Sequence, residues 1–369
     1  MSAALQSFGA GDFVSLVQAY SRLPRDAADV PNLATHVDFV GAGPSLMPVT
    51  VNDGETGNCW VCSPYTAYVL YSQEELRRLA SPLLAAPLCT VCGALGSYLR
   101  RARIDKAVAV NNWMLSTNIY PDLNGDHLRN WIEEAQQRWP GHAIWFRSLN
   151  QRYTPAWLDL LKALGCELIP SRQVYLYDQI DVSARLHANL RRDLKLLQGR
   201  RCDLTSADSW SEKDFERAAD LYQLLYIEKY SPLNPRYRAS FLRSWHAAGL
   251  LNLFGYRDAS GALEAVVGIF AAGTTLTAPI VGYDTAAPPA RGLYRLLMAT
   301  VFDLAASSGR RVNLSAGAAE FKRLRGGVGT IEYSAVCVRH LTRRRQRAIG
   351  LLAALSRSLG EPLMRRFQW

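Results

Sequence analysis

Three apolar runs in succession constrain this chain more than any other feature: "LLNLFGYRD", "EAVVGIFAA" and "TLTAPIVGYD", residues 250–258, 264–272 and 275–284. Each is rich in aliphatic and aromatic residues and has strand length. The first two are joined by "ASGAL", where Gly261 can take the positive φ of a hairpin-like turn. Two helical patterns precede them, "KDFERAADLYQLLYIEKY" and "PRYRASFLRSWHAAG", the second expected to start with Pro235 in its first turn. A helix from Gly292 to about Ser307 follows, then the strand "VNLS", the connection "SAGAAEFKRLRGG" and a last strand "TIEYSAVCVRH". A short strand, "RCDLT", and a basic helix, "SARLHANLRRDLKLLQ", open this half.

The first half alternates in a similar way. Strand-like "SLMPVTV" and "WVCSPYTAYVLY" precede helices expected around 74–84 and 87–102. Then come "KAVAVNN" (strand), "DHLRNWIEEAQQRW" (helix), "HAIWFRS" (strand), "PAWLDLLKALG" (helix) and "RQVYLYD" (strand). Alternation at this spacing implies a largely parallel sheet with crossover helices. At 369 residues the chain suits two domains, with a boundary expected at 178–184. That gives a first domain over 1–180, a second over 181–340 and a C-terminal helix over 341–369.

The net charge of +10, most of it from arginine, favours anionic partners such as phosphorylated cofactors, nucleic acid or a membrane surface. The N-terminus lacks a basic segment followed by an apolar one, and no apolar run approaches the roughly 18 to 20 residues that span a bilayer, so a soluble, cytoplasmic protein is expected. Its seven cysteines are then expected as reduced thiols. "CWVC" (Cys59, Cys62) and "CTVC" (Cys89, Cys92) have the spacing of a zinc site. In a strand, however, the first pair would point to opposite faces, and Cys92 falls in the apolar stripe Leu88, Cys92, Leu95 and Leu99 of a helix, so apolar packing and no metal are expected. The scattered histidines form no hydrolase or metalloprotease motif.

The order from about residue 200 to 340 resembles the GNAT acyltransferase superfamily, and the segment 281–327 resembles its BioF2-like and FemAB-like relatives. The residues that carry the likeness are Tyr283 and Asp284 at a strand end, Gly292 opening the main helix, and Glu320, Phe321, Lys322 and Gly326 after the next strand. The resemblance implies an α/β (α+β) protein of tandem GNAT-like domains, each a mixed, partly antiparallel sheet flanked by helices. The first half would be a degenerate copy, inferred from element order alone. It also implies an N-acyltransferase that moves an acyl group from a thioester to an amine by direct attack. The alternatives are Fem-type transfer from aminoacyl-tRNA and a non-catalytic acyl-CoA or membrane-surface binding protein.

Such chemistry needs an activated acyl donor, a free amine and hydrogen-bond donors where the oxyanion develops. The helix start at "PPARGLYR" offers backbone N–H groups for a donor's phosphates, with Arg291, Gly292, Leu293, Tyr294 and Arg295 as donor-binding residues. The family's cofactor loop, which resembles Gln/Arg-x-x-Gly-x-Gly/Ala, is kept only at Gly292; Pro289 and Tyr294 depart from it. No cofactor is expected to be held tightly: the donor is acyl-CoA or an acyl carrier protein, or else an aminoacyl-tRNA. The resemblance assigns Lys322 to the developing negative charge; Glu320 is a base or an ion-pair partner, and Asp284 and Tyr283 orient the amine or simply end a strand. Asn111, Asn112, Ser116 and Asn118 gather after a strand and, with Tyr226 and Tyr230, are candidate acceptor-binding residues. The tail from residue 341 patterns as a basic amphipathic helix, with Ile349, Leu352, Leu355, Ser356 and Leu359 on one face. The arginine cluster from Arg343 to Arg347 at its start opposes the helix dipole and suggests contact with lipid head groups or RNA; docking on the body is the other reading.

Overall fold

The protein, described here from a computed structural model, is defined over residues 11–24, 29–78 and 82–368. Its strands are β1 (His36–Val40), β2 (Met47–Asp53), β3 (Lys106–Val110), β4 (Ala143–Asn150), β5 (Glu167–Tyr177), β6 (Leu204–Ser206), β7 (Asn252–Arg257), β8 (Leu263–Ala272), β9 (Thr275–Tyr283), β10 (Arg311–Asn313) and β11 (Val328–Cys337). The α-helices are α1 (Phe13–Arg22), α2 (Tyr71–Arg77), α3 (Pro82–Arg101), α4 (Gly125–Arg138), α5 (Pro155–Ala163), α6 (Ile180–Leu186), α7 (Ala188–Gly199), α8 (Glu212–Gln223), α9 (Ala239–Ala247), α10 (Leu293–Ser308), α11 (Ala319–Arg323), α12 (Arg343–Leu355) and α13 (Glu361–Phe367).

All eleven strands join one sheet in the order β1-β2-β3-β4-β11-β5-β10-β9-β8-β7-β6. Its symmetry is internal. On one side β1, β2 and β3 pair antiparallel, β3 and β4 parallel, and β4 with β11 antiparallel. On the other, β7, β8 and β9 pair antiparallel, β9 and β10 parallel, and β10 with β5 antiparallel. Each half therefore lends its last strand to the other, and these two, β5 and β11, pair along nine positions in the middle. The duplication expected from element order is visible as this exchange, and the sheet is mixed, as the GNAT resemblance implied. The largely parallel sheet expected from alternation alone is corrected: among the described residues only β3 with β4 and β9 with β10 run parallel.

Local chemistry sets most element ends. Ser211 caps α8 in a reciprocal pair with Asp214. Gly309 closes α10 in a left-handed conformation, donating to the carbonyls of Ala305 and Ala306. β8 is buried at every position, as a central strand covered on both faces must be. Gly282 lets the α8 backbone approach β9, since a Cβ there would lie 2.4 Å from the Tyr222 nitrogen.

Several expectations fail for identifiable reasons. "WVCSPYTAYVLY" is not a strand: the chain turns at Cys59–Cys62, the Ser63 hydroxyl accepts from the Thr66 N–H, and a π-helical turn, Thr66–Leu70, leads into α2. A serine cap followed by Pro64 overrides the β-propensity of the aromatics. The helix expected at 87–102 starts at Pro82 and carries Pro87 inside it; the stretch expected to continue to residue 84 lies partly outside the described residues. Helix α9 begins at Ala239, leaving Pro235 outside it, and the basic helix of 183–198 breaks at His187 into α6 and α7. Cys166 and Cys337 are joined as a disulfide between the end of α5 and β11, so the seven cysteines are not all free thiols. Cys59 and Cys62 pack in one core cluster and Cys92 in another.

Candidate active site

A cavity of about 470 Å³ opens on the sheet face where the two halves meet. That size falls within the roughly 300 to 1,000 Å³ of small-molecule sites. Its floor crosses the sheet in order: Ala107 and Ala109 on β3, Trp145 and Arg147 on β4, Glu332 and Ser334 on β11, Ser171 and Arg172 on β5, and Leu314 just past β10. Three π-helical turns, Thr66–Leu70, Leu224–Tyr230 and Ser356–Gly360, each supply wall residues. Widened turns of this kind recur at functional sites because they re-aim side chains out of the regular helix register.

Glu332 is the centre of the polar wall. It is 2% exposed and accepts from Arg172 Nε at 2.7 Å through Oε2, while Oε1 has no hydrogen-bond partner among the described residues. A buried carboxylate oxygen without a partner is costly unless something else satisfies it. Arg172 also donates to the Ser116 carbonyl and the Thr117 hydroxyl, which fixes its plane. Across the Trp60 ring, 5.1 Å from its centre, stands Arg147, held by the Val61 carbonyl and the Asn112 side-chain oxygen. Burial and the neighbouring Arg172 charge lower its pKa, and no carboxylate lies within ion-pair distance among the described residues. Trp60 is itself anchored from the other half, donating to Asn234, which donates to the Tyr226 carbonyl.

Lys322 lies on the opposite wall, 4% exposed. Its ammonium donates to three carbonyls of the loop before α11, those of Leu314 (2.7 Å), Ser315 (3.3 Å) and Ala316 (2.8 Å). Burial first, and then the Arg172 charge, pull its pKa down to about 7. Ser315, Gly317 and Ala318 all have positive φ, so Lys322 stitches together a loop whose backbone conformation is strained at two non-glycine positions. All three ammonium donors are thus occupied within the protein, and the lysine acts on the cavity through its charge and through the loop it shapes.

Of the other residues expected at the site, Ser116, Tyr226, Tyr230 and Tyr294 line the cavity. Tyr226 stacks on Tyr222 with ring centres 4.8 Å apart, and Tyr294 packs edge-on against Phe321. Asn112 sits one layer behind, orienting Arg147, and Asn118 is buried with its oxygen accepting from the Trp113 N–H. Glu320 is exposed and outside the cavity lining. Asp284 faces Arg217 at 3.5 Å, and Tyr283 meets Lys229 rather than the cavity. At the expected donor loop, Gly292 has the left-handed φ of +62° and Leu293 is core. Arg291 pairs with buried Glu264, and Arg295 with buried Asp193. Both arginines are therefore committed to internal carboxylates. The C-terminal helix docks on the body, burying Ala348, Ile349, Leu352 and Ala353, while Arg345 donates to the carbonyls of Arg103, Lys106 and Gly141. Among the described residues no helix is long and apolar enough to cross a membrane.

Arg147, Arg172 and Glu332 are absent from the sequence-derived site. Each is the single charge in an otherwise uncharged stretch of strand, "AIWFRSLN", "SRQVYLY" and "TIEYSAV". That pattern is itself a signal, because strands at the middle of a covered sheet seldom bury a charge without use for it.

Residues 184–323 match the family model described as an acetyltransferase (GNAT) domain. No curated protein sequence matches the chain. Among solved structures, FemX aligns over 95% of this chain and 96% of its own, at 10% identity and a TM-score of 0.51. L-PGS from Bacillus licheniformis aligns over 71% and 96%, at 12% identity and a TM-score of 0.46. A tandem GNAT protein from the clavulanic acid biosynthesis pathway aligns over 62% and 75%, at 11% identity and 0.36. Residues 184–323 thus carry a GNAT acetyltransferase domain, and the chain has the fold of FemX along nearly its whole length.

Proposed function

We propose that the protein transfers an acyl group from an activated donor to an amine seated in the cavity between its two halves. The observation that carries this reading is the buried, unpartnered Oε1 of Glu332 on the cavity wall. An amine arrives as an ammonium; Glu332 offers it a charge-assisted hydrogen bond in a desolvated site, where such bonds are strongest. The same oxygen is placed to take the proton the nitrogen must lose before it attacks. The amine's lone pair then forms the new C–N bond, the carbonyl becomes a transient oxyanion, and collapse breaks the bond to the donor's leaving group, which departs with the nitrogen's second proton. Arg147, a buried cation with no carboxylate partner among the described residues, and the Lys322 ammonium supply positive potential for the charge that develops. Tyr226, Tyr230 and Ser116 shape the acceptor's surroundings.

The donor is an acyl thioester of coenzyme A or of a carrier protein, entering from the side of Tyr294 and Leu314. A second reading, Fem-type transfer from aminoacyl-tRNA, is favoured by one feature: Arg291 and Arg295, which a pyrophosphate would need, are tied to Glu264 and Asp193. Both readings share the amine seat. Incubating the protein with a primary amine and each donor in turn, acetyl-CoA, octanoyl-CoA or a charged tRNA, and detecting the amide by mass spectrometry separates them. Amide from one donor class, lost by about a hundredfold or more in Glu332→Gln, is expected. Equal turnover in wild type and Glu332→Gln would remove the assignment of Glu332.

A further inference from the structure

Beyond the polar wall the cavity continues as an apolar limb between α3 and the C-terminal helices. Leu88, Val91 and Leu95 line it from α3, facing Leu355, Leu359 and Leu363 from the segment after α12 begins. Its floor is low because β3 presents only Ala107 and Ala109 to it. The C-terminal segment carries seven arginines between residues 343 and 366, yet none of its cavity-lining residues is charged. The limb reaches the surface at Val91 and Leu359, which are 47% and 43% exposed. Large aliphatic side chains left open to water on both lips of a groove are the features of a hydrocarbon site; the charged residues nearest it, Glu75 and Arg78, line the cavity from the end of α2 and pair with each other.

The sheet order decides which substrate the limb serves. Glu332 lies on β11, with β4 and then β3 on one side of it and β5 and then β10 on the other. The limb's C-terminal wall packs on β5 and its base includes Ala107 and Ala109 of β3, so the limb spans the strands on either side of Glu332; Leu314 and Tyr294 stand on the β10 side. A molecule whose amine rests on Glu332 therefore has the limb directly beside it, whereas Leu314 lies two strands away, past β5.

We infer, resting on the amine seat at Glu332, that the acceptor is an amphiphile: a primary amine carrying an unbranched aliphatic chain, which the α3 and C-terminal helices enclose. Each methylene that enters the limb should tighten binding by about fourfold, the transfer free energy of a buried CH₂.

Calorimetric titration of the full chain with n-butylamine and n-octylamine, both below their aggregation concentrations, tests this. Octylamine should bind roughly 200-fold more tightly, four methylenes at about fourfold each. Val91→Trp and Leu359→Trp place an indole in the limb from its two exposed lips, where folding is least at risk, and should erase that gain. An octyl-to-butyl ratio near one in the wild type, or a gain that survives both substitutions, overturns the inference. So does a chain-length preference found instead with acetyl- and octanoyl-pantetheine and erased by the same two variants, which would give the limb to the donor. Failure of the amine seat shows differently: Glu332→Gln would then leave both amines' affinities unaltered, whereas a correct seat weakens both by the same factor and preserves their ratio.

Discussion

Burying the Lys322 ammonium makes stability depend on pH in a direction opposite to that of an ordinary surface lysine. Its pKa falls from 10.5 to about 7 on folding, through burial and then through the Arg172 charge. Between those values the unfolded chain binds more protons than the folded one, so stability rises with pH across this window. The cost of the buried charge is full below pH 7 and is relieved as pH climbs toward 10.5. From pH 7 to pH 9 the relief amounts to about 2 kcal/mol. Lys322→Met keeps the length of the side chain and removes the titration. It also leaves the Leu314, Ser315 and Ala316 carbonyls without their donor, a penalty that is the same at every pH. Urea unfolding followed by tryptophan fluorescence at pH 7 and pH 9 gives the difference between the two proteins. The wild type should gain about 2 kcal/mol on the variant between the two pH values. A difference that stays constant would show that the ammonium is not held in this desolvated state.

Two further substitutions probe the frame around the site. Asp193 is fully buried and accepts from both Arg295 (2.7 Å) and Arg325 (2.5 Å), tying α7 to α10 and to the turn after α11; Asp193→Ala leaves Arg325 as a buried unpaired cation and should cost about 3 to 5 kcal/mol in chemical denaturation. Gly282→Ala drives a methyl against the Leu221 and Tyr222 backbone and should cost about 3 kcal/mol, whereas Gly199→Ala, which meets nothing within 4 Å, should stay within about 0.5 kcal/mol of wild type by the same assay.

Much of the element order is legible from local patterns because each β-branched run is bounded by caps, glycines or prolines that act within a few residues. The exchange of β5 and β11 is not, since which strand pairs with which is decided between segments more than a hundred residues apart. Residues 60–71 mislead for a related reason: their aromatic content suits a strand, but Ser63 and Pro64 start a helix whose tyrosines are needed at the cavity. The site divides along the same line. Tyr226, Tyr230, Tyr294, Ser116 and Lys322 reach the wall from the expected segments. Arg291, Arg295, Asp284 and Glu320 look equally suitable in sequence, yet the first three meet internal partners and the last faces solvent. Glu332 and Arg172 belong to the two exchanged strands, so their meeting depends on a pairing that no local pattern encodes.

The amine seat at Glu332 is tested most directly by a crystal structure of the protein with n-octylamine bound. The nitrogen should lie about 2.7 to 2.9 Å from Glu332 Oε1, the distance of a charge-assisted hydrogen bond, with the chain running over Ala107 and Ala109 toward Val91 and Leu359. An amine bound elsewhere, with Oε1 bonded only to water, would contradict the account.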